Sequence, residues 1–237
     1  MNTTGIKFGN YHSYKQWKLR LKALEIEFPD EKTVKIDVEG SDGILDLTEA
    51  VNGSVRYKNR TLHFVFDARN NDYRHWTWLI SDIANKLHGQ KRRITLDFDP
   101  EYYYVGRCHI NTAKTNEVKS EIAIDCDCEP FKTAVSSDNG DWLWDPFSFR
   151  TGVIHKKYKF SIDSPNAWQD VSVRGYEQNW GVSFECSDAI ELKYDNTIYA
   201  LSEGYHLLEE IVLEDGLNTL QFRGTGTVDV VAKGGSL

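Results

Sequence analysis

Hydrophobic positions between Asn70 and Lys132 predict one amphipathic helix over about residues 71–88, followed by a small antiparallel sheet. Five apolar residues recur at helical spacing and therefore share one face of that helix. They are Trp76, Leu79, Ile80, Ile83 and Leu87. Asn70 or Asn71 is the expected N-cap, and Gly89 suits the left-handed conformation that often ends a helix.

Alternating polar and apolar positions predict strands on both sides of this helix. Downstream, Ile94, Leu96 and Phe98 should share one face of a strand that Pro100 ends. A second strand should bury Ile122, Ile124, Cys126 and Cys128 on one face. Upstream, residues 33–38 alternate, residues 40–43 form a turn, and residues 54–67 form another strand with a bend or bulge at 58–60.

After Phe131 the pattern changes to short β-prone runs separated by turn signals. The polar stretch 136–141 is a plausible domain boundary, and turns are expected at Asp195-Asn196, Asp215-Gly216 and Gly224-Thr225-Gly226. Regular spacing of such signals is typical of an antiparallel β-sandwich. The predicted fold class is mainly β, with an α+β domain (1–132; a sheet or split barrel with one covering helix) and a β-sandwich (133–237).

Several segments in the first domain, in order, resemble one known family. They read VEGSDGILDLTE, VRYKNRTLHFVF, LHG, LDFDPEYYYVGR and IAIDCDCEPFK, within the span Ile6 to Lys132. This set resembles the distal tail proteins of long-tailed (siphovirus-type) phages and prophages of Gram-positive bacteria. The resemblance implies a virion structural protein, made in the host cytoplasm. It forms a homo-hexameric ring at the tail tip and joins the tail tube protein to the tip and receptor-binding proteins.

The resemblance also implies that the second domain is a galectin-like sandwich outside the ring. Within the best-matching region, three polar or amphipathic residues on the expected strand surfaces are candidates for the subunit interface: Asp46, Tyr57 and Arg60. Closing strands into a ring leaves few unpaired sheet edges, which is a physical reason for such a domain to assemble with copies of itself.

Charge is divided unevenly along the 237 residues. The net charge is −8, and all of that excess lies after Lys132, because residues 1–132 contain 20 basic and 20 acidic side chains. An acidic second domain argues against nucleic-acid binding, which requires a basic face. No apolar run approaches the roughly 20 residues needed to span a bilayer, and no signal peptide is evident, so membrane insertion is not expected.

The four cysteines, Cys108, Cys126, Cys128 and Cys186, have no framework spacing and are expected to be reduced and buried on strands. A zinc site built from Cys126, Cys128 and His109 is the alternative, although C-x-C does not match the usual zinc-knuckle spacing. We expect no cofactor and no metal.

Acidic residues offer the most tempting catalytic pattern. Asp97, Asp99 and Glu101 offer oxygen ligands for a metal or carboxylates for a hydrolase, but a solvated or subunit-facing strand edge is the simpler interpretation. His63 lies on a strand, and His88 is best explained as a cation or capping donor at the helix C-terminus. No nucleophile elbow or phosphate loop is present, so we expect a protein that is not an enzyme.

Tryptophans of the second domain suggest the alternative function, a carbohydrate-binding module that adsorbs to the host cell wall. Trp142, Trp144, Trp168, Trp180 and Tyr176 lie among polar residues. Trp168 and Trp180 are the possible sugar contacts, because an exposed ring can stack on a sugar while polar groups bind its hydroxyls. Their alternative role is to fill the core of the sandwich. The usual galectin sugar motif is not visible.

Overall fold

The computed structural model describes residues 4–40, 42–50, 55–68, 73–112, 121–135, 156–176 and 179–237. The chain divides into two compact units, unit 1 (Met1–Lys132) and unit 2 (Thr133–Ser236). The division falls at the residue where the charge balance changes from neutral to acidic.

Unit 1 is built on a seven-stranded antiparallel sheet. Its elements in chain order are β1 (Ile6–Phe8), β2 (Tyr11–His12), α1 (Ser13–Trp17), β3 (Arg20–Ile26), β4 (Lys35–Asp37), β5 (Ile44–Asp46), β6 (Arg60–Asp67), α2 (Tyr73–Leu87), β7 (Lys91–Leu96), β8 (Asp99–Ile110), β9 (Glu121–Cys128) and the short boundary strand β10 (Lys132–Ala134). The order across the sheet is β3-β6-β9-β8-β7-β1-β2.

This sheet curls until non-adjacent strands meet. The ring of Phe8 on β1 lies 5.5 Å from that of Phe64 on β6, although three strands separate them in the sheet. The two edge strands, β2 and β3, are joined by only residues 13–19, so α1 lies where the curled sheet stays open. Unit 1 is therefore a split barrel around an apolar core, which also contains the inward residues of β9.

Helix α2 covers this core as its periodicity predicts. Trp76, Leu79, Ile83 and Leu87 are buried in the core cluster, and Ile80 packs against it while partly exposed. Gly89 has φ +73°, which confirms the left-handed residue after the helix. The predicted N-caps, Asn70 and Asn71, lie outside the described residues.

Two strand predictions differ from the structure. The first fails at the turn between β7 and β8. Leu96 ends β7 and Asp99 begins β8, so Phe98 lies in the turn between them and is exposed rather than sharing the buried face of Ile94. Pro100 is the second residue of β8 and does not end a strand. The predicted strand 54–67 is also shorter, because β6 begins at Arg60 and Tyr57 makes only an isolated bridge to Glu31.

Strands β4 and β5 form a separate two-stranded sheet. Lys35 pairs with Asp46, Ile36 with Leu45 and Asp37 with Ile44. Neither strand pairs with the curled sheet in the described part of the chain. This hairpin is the expected product of the alternating run and the glycine turn, with Gly40 and Gly43 both at positive φ.

Unit 2 is organised by two long strands. Its elements are β11 (Lys157–Gly175), β12 (Asn179–Cys186), β13 (Ile190–Tyr194), β14 (Thr197–Leu201), β15 (Gly204–Leu208) and β16 (Gly216–Ser236). β11 and β16 pair along almost their whole length. The first half of β16 also pairs with β13, whose other neighbour is β14, and the second half pairs with β12, whose other neighbour is β15.

Two four-stranded sheets therefore share the bent pair β11–β16 and enclose one core. Phe184 on β12 meets Phe222 on β16 with ring centroids 6.1 Å apart. The turn predicted at Gly224-Thr225-Gly226 is wrong, because these residues lie inside β16. Gly224 and Gly226, at φ +140° and +148°, let the strand bend without ending its ladder. The mainly-β fold class with a small helical part is confirmed.

Candidate functional site

The β4–β5 hairpin exposes a continuous apolar face in unit 1. Side chains alternate across a strand, so the face that carries Ile36 and its cross-strand partner Leu45 also carries Val34 and Val38. All four are exposed. We call these four residues the apolar hairpin face. The opposite face is mostly polar and carries Lys35, Asp37, Ile44 and Asp46.

Backbone hydrogen bonds fix the base of the hairpin close to the start of β6. The amide of Lys32 donates to the carbonyl oxygen of Arg56 (2.7 Å), and the amide of Lys58 donates to that of Asp30 (2.7 Å). Val34 and Leu47 close the open end through a further backbone bond of 2.8 Å. A two-stranded sheet alone in water is marginally stable, so a hairpin that exposes four apolar side chains would be stabilised by a covering surface.

Two of the three predicted interface residues lie on or beside this hairpin. Asp46 is on its polar face, where its carboxylate accepts from the amide of Thr48 (2.9 Å), and the hydrogen bonds from Thr48 hold the pKa of Asp46 below its usual value. Tyr57 is half-buried at the base, and its ring meets the edge of Phe131 at 5.8 Å.

Arg60 corrects the prediction that it lies on a strand surface. It is 3% exposed, and its guanidinium carbon lies 6.0 Å from the ring centre of Phe28 and 5.7 Å from that of Tyr104. Within the described ranges its Nε and Nη2 have no hydrogen-bond partner. Burial lowers the pKa of Arg60, while the hydroxyl of Tyr104 opposes that shift. The polar residue type predicted a surface position, but the register of β6 turns its first side chain inward.

The acidic residues of the β7–β8 turn make contacts within unit 1, while Asp97 stays exposed and Asp99 and Glu101 are half-buried, in keeping with the solvated edge that the sequence predicts. Asp97 accepts from the amide of Gly5 (2.8 Å) and contacts Nε2 of His12 (3.2 Å). Asp99 pairs with Lys132 at 2.8 Å. Glu101 lies on β8, half-buried. Across the residues that the structure describes, no group of three His, Cys, Asp or Glu side chains is placed to hold a metal ion.

The cysteines of unit 1 are buried together, but His109 is not with them. Cys108 and Cys126 are cross-strand partners with sulfur atoms 3.4 Å apart, and all four cysteines are free thiols. Burial raises the pKa of Cys128, and the contact with Cys108 is the first cause of the raised pKa of Cys126. His109 follows Cys108 on the strand and therefore points to the opposite, solvent-facing side. The proposed zinc ligands do not converge.

The sequence pattern did not predict a row of titratable residues that lies on the outer face of the curled sheet. Register places Glu25, His63, Asp125 and His109 side by side on four adjacent strands. His63 Nδ1 contacts the Asp125 carboxylate, which also accepts from Asn111 at 3.0 Å. The residues stand far apart in sequence, and only strand pairing reveals the row.

His88 does not cap α2 as a donor. Its Nδ1 accepts from the amide of Ile110 at 3.1 Å, so it binds the end of β8.

The predicted sugar contacts in unit 2 lie far from each other. Trp168 stands at the irregularity in β11 opposite Phe222 and Gly224, whereas Trp180 stands on β12 opposite Lys233 and Gly234. About ten residues of β16 separate the two positions. Trp142 and Trp144 lie outside the described residues, and Tyr176 is half-buried at the end of β11.

Two cationic side chains already lie over the ring of Trp168. The guanidinium carbon of Arg223 lies 4.6 Å from its centre, and Lys193 Nζ lies 5.9 Å away. Glu191 in turn holds Arg223 through an ion pair. A sugar stacking on this face would have to displace a guanidinium that is itself anchored.

Comparisons with known proteins include a solved structure that aligns with the whole chain. No family model and no curated protein sequence matches the chain. The crystal structure of the SPP1 Dit protein (gp 19.1) aligns over 100% of both chains with a TM-score of 0.53 and 12% identity. That protein is described as a paradigm of the hub adsorption apparatus in phages that infect Gram-positive bacteria. The chain has the fold of a phage hub protein.

A second solved structure, a de novo designed double-stranded β-helix, matches only part of this chain. It covers 33% of this chain and 97% of its own, at 16% identity and a TM-score of 0.25, which is too low to indicate a shared fold. Among the residues that the structure describes, no helix is long and apolar enough to cross a bilayer.

Proposed function

We propose that this protein is a structural component of a phage or prophage tail tip. In this role it assembles with its own copies into a ring that joins the tail tube to the tip and receptor-binding proteins. The apolar hairpin face carries the proposal, because a small amphipathic sheet that stands apart from the barrel has an exposed surface suited to a partner. The fold shared with a phage hub protein supports the tail-tip setting.

Six copies in a closed ring are the assembly we propose, following the resemblance of the first unit to distal tail proteins. Unit 1 is electrically neutral, so copies brought together through it meet little net repulsion, whereas the net charge of −8 in the second unit disfavours non-specific association. The proposed role is mechanical and not catalytic. It requires a rigid scaffold, which the continuous ladder of β6 with β9 supplies.

Solution mass and imaging of the full chain test this function. We expect a species of six 27.3 kDa chains that forms with increasing protein concentration, and ring-shaped particles in negative-stain images. The tail tube protein of the same phage or prophage should bind the ring and increase its yield. Lone monomers at high concentration, both with and without that protein, would contradict the proposal. Monomers that bind cell-wall glycans would favour the carbohydrate-binding alternative.

A further inference from the structure

A groove of about 620 Å³ runs between α1 and α2 where the split barrel is open. Its walls are the apolar parts of Trp17, Ala68, Leu79 and Trp78, and Gln16, Lys18, His75, Asp82 and Lys86 complete the lining. Trp78 is 65% exposed, although it belongs to the helix that covers the core. A large ring left in solvent beside an apolar groove is a feature typical of binding surfaces. We call this feature the α1–α2 groove.

The α1–α2 groove is held in shape by one carboxylate. Asp82 accepts from the indole Nε1 of Trp17 (3.0 Å) and from Lys86 (2.8 Å), which ties α1 to α2. Tyr11 stacks on Trp17 with ring centroids 5.8 Å apart and carries Lys86 over its face. The groove is therefore built before any partner arrives, so binding costs little ordering entropy.

Basic side chains surround the groove. Lys18 and Lys86 line it, Lys15 lies on α1, and Arg92 binds the carbonyl oxygen of Lys86 at 2.9 Å. Asp82 is the single carboxylate in its lining, and it is bonded to Lys86. Within the described residues the groove thus has an apolar floor and a positively charged border.

The β4–β5 hairpin complements the groove, because it combines an apolar face with negative charge. Residues 31–49 carry six carboxylates and two lysines around the apolar hairpin face. It projects from the end of β6 at which Arg60 begins the strand, and the groove includes Ala68, directly after the other end. Eight residues of extended strand separate these ends by about 26 Å. A hairpin at one end and a groove at the other are arranged for a contact between successive copies.

We propose that the α1–α2 groove binds the apolar hairpin face of a second copy of this chain. The inference rests on the proposed function and adds to it the receiving surface and the head-to-tail direction of assembly. Because donor and acceptor surfaces differ, the interface is heterologous and leaves one hairpin and one groove free on every open oligomer. Such interfaces form rings when the rotation between copies closes.

Cross-linking between separately labelled copies tests the contact directly. One variant carries Val38→Cys on the apolar hairpin face, and the other carries Gln16→Cys at the groove. The four native thiols are buried, and burial raises the pKa of Cys186 to about 11, so a short bis-maleimide should react at the introduced sites. Mixing two single variants allows this pair of positions to be joined only between different molecules.

The matched control replaces Gln16→Cys by Asp127→Cys, an exposed position on the outer face of β9. We expect about tenfold more linked dimer from the groove mixture than from the control mixture, since a bound pair has a raised effective concentration. Equal yields in the two mixtures, or no linked dimer in either, would overturn the proposal.

The two hypotheses fail differently. Rings that form without the groove cross-link would overturn the groove contact and leave the hub function intact. A specific cross-link in a protein that never exceeds open dimers would support the contact and contradict the ring.

Charge exchange gives a second, independent test. Lys15→Glu with Lys18→Glu should weaken self-association, and adding Glu39→Lys with Asp42→Lys, at the tip of the hairpin, in the partner copy should restore it. The comparable reversal Lys7→Glu, on an exposed position of β1, should have no such effect. A reversal at the groove that leaves association unchanged, or one that the hairpin variants do not rescue, would count against the contact.

Discussion

Replacing both members of the cross-strand pair on the apolar hairpin face should separate assembly from folding. The change is Ile36→Thr with Leu45→Thr, because threonine keeps the β-branched shape that strands favour and removes most of the apolar area. Ile36 is 46% exposed and Leu45 is 50% exposed in the single chain. About half of each side chain is therefore still to be buried by a partner.

The size of the effect follows from that remaining area. Fully burying an isoleucine or leucine contributes about 1.5–3 kcal/mol, so half of each contributes about 1 kcal/mol and the pair about 2 kcal/mol. Since 1.4 kcal/mol is a factor of ten, each hairpin contact should weaken about 30-fold. The free energy of unfolding should fall by about 1–2 kcal/mol, because the other half of each side chain is already buried in the single chain, and urea unfolding separates this loss from the loss of association.

Sedimentation velocity over a concentration series measures the association, and urea unfolding measures the stability. Ile44→Thr is the control: Ile44 belongs to the same hairpin and is 64% exposed, but it lies on the polar face. It should leave the association unchanged. If the double variant assembles like the parent chain, or if the control weakens assembly equally, the apolar hairpin face is not the interface.

Three further predictions concern the interior and the groove. Gly106→Ala should destabilise unit 1 by about 3 kcal/mol in urea unfolding, because a Cβ there would lie 2.3 Å from Cys128 Sγ and 2.7 Å from a backbone oxygen; a loss below about 1 kcal/mol would show that the strands separate easily. Arg60→Met should be better tolerated than Arg60→Ala, since it removes a buried, incompletely paired charge but keeps the aliphatic volume. Equal unfolding midpoints for the two would contradict that account. Hydrogen bonds from Lys86, and to a lesser extent from Trp17, hold the pKa of Asp82 below its usual value of 3.8. The contribution of Asp82 to the free energy of unfolding is therefore present above pH 3.8 and is lost as the pH falls below it. Asp82→Asn should therefore reduce, by about 0.5–1 kcal/mol, the stability difference between pH 5 and pH 2, and an unchanged difference would refute the pairing.

Local sequence patterns correctly predicted the elements whose buried face follows from the spacing of their own apolar residues. The apolar stripe from Trp76 to Leu87 packs on the core, and the alternating apolar residues of β9 face the same core. Likewise, the alternation in 33–38 and the glycine turn were sufficient for the β4–β5 hairpin. In each case the side-chain spacing matches the geometry of one helix or one strand, so no distant residue is required to explain it.

Predictions failed where the decision depends on which strands become neighbours. Arg60 is polar, yet the pairing of β6 with β9 places it against Tyr104 in the interior. Phe98 fits the alternating pattern but lies in a turn, because Leu96 of β7 pairs with Asp99 of β8 and only two residues connect them. The run from Asn218 to Ala232 contains a glycine signal that is typical of a turn. Here β16 pairs with β11 on both sides of a register shift at these glycines, so the strand does not end there.

By itself, the sequence determined the covering helix, the alternating strands, the acidic second unit and the β4–β5 hairpin, since each follows from the order of side chains along a short segment. The tertiary structure alone decided the α1–α2 groove, the row that joins His63 to Asp125, and the burial of Arg60. The physical reason is that these features consist of side chains from segments far apart in the chain. Their spacing is set by sheet curvature and strand register, which no local pattern encodes.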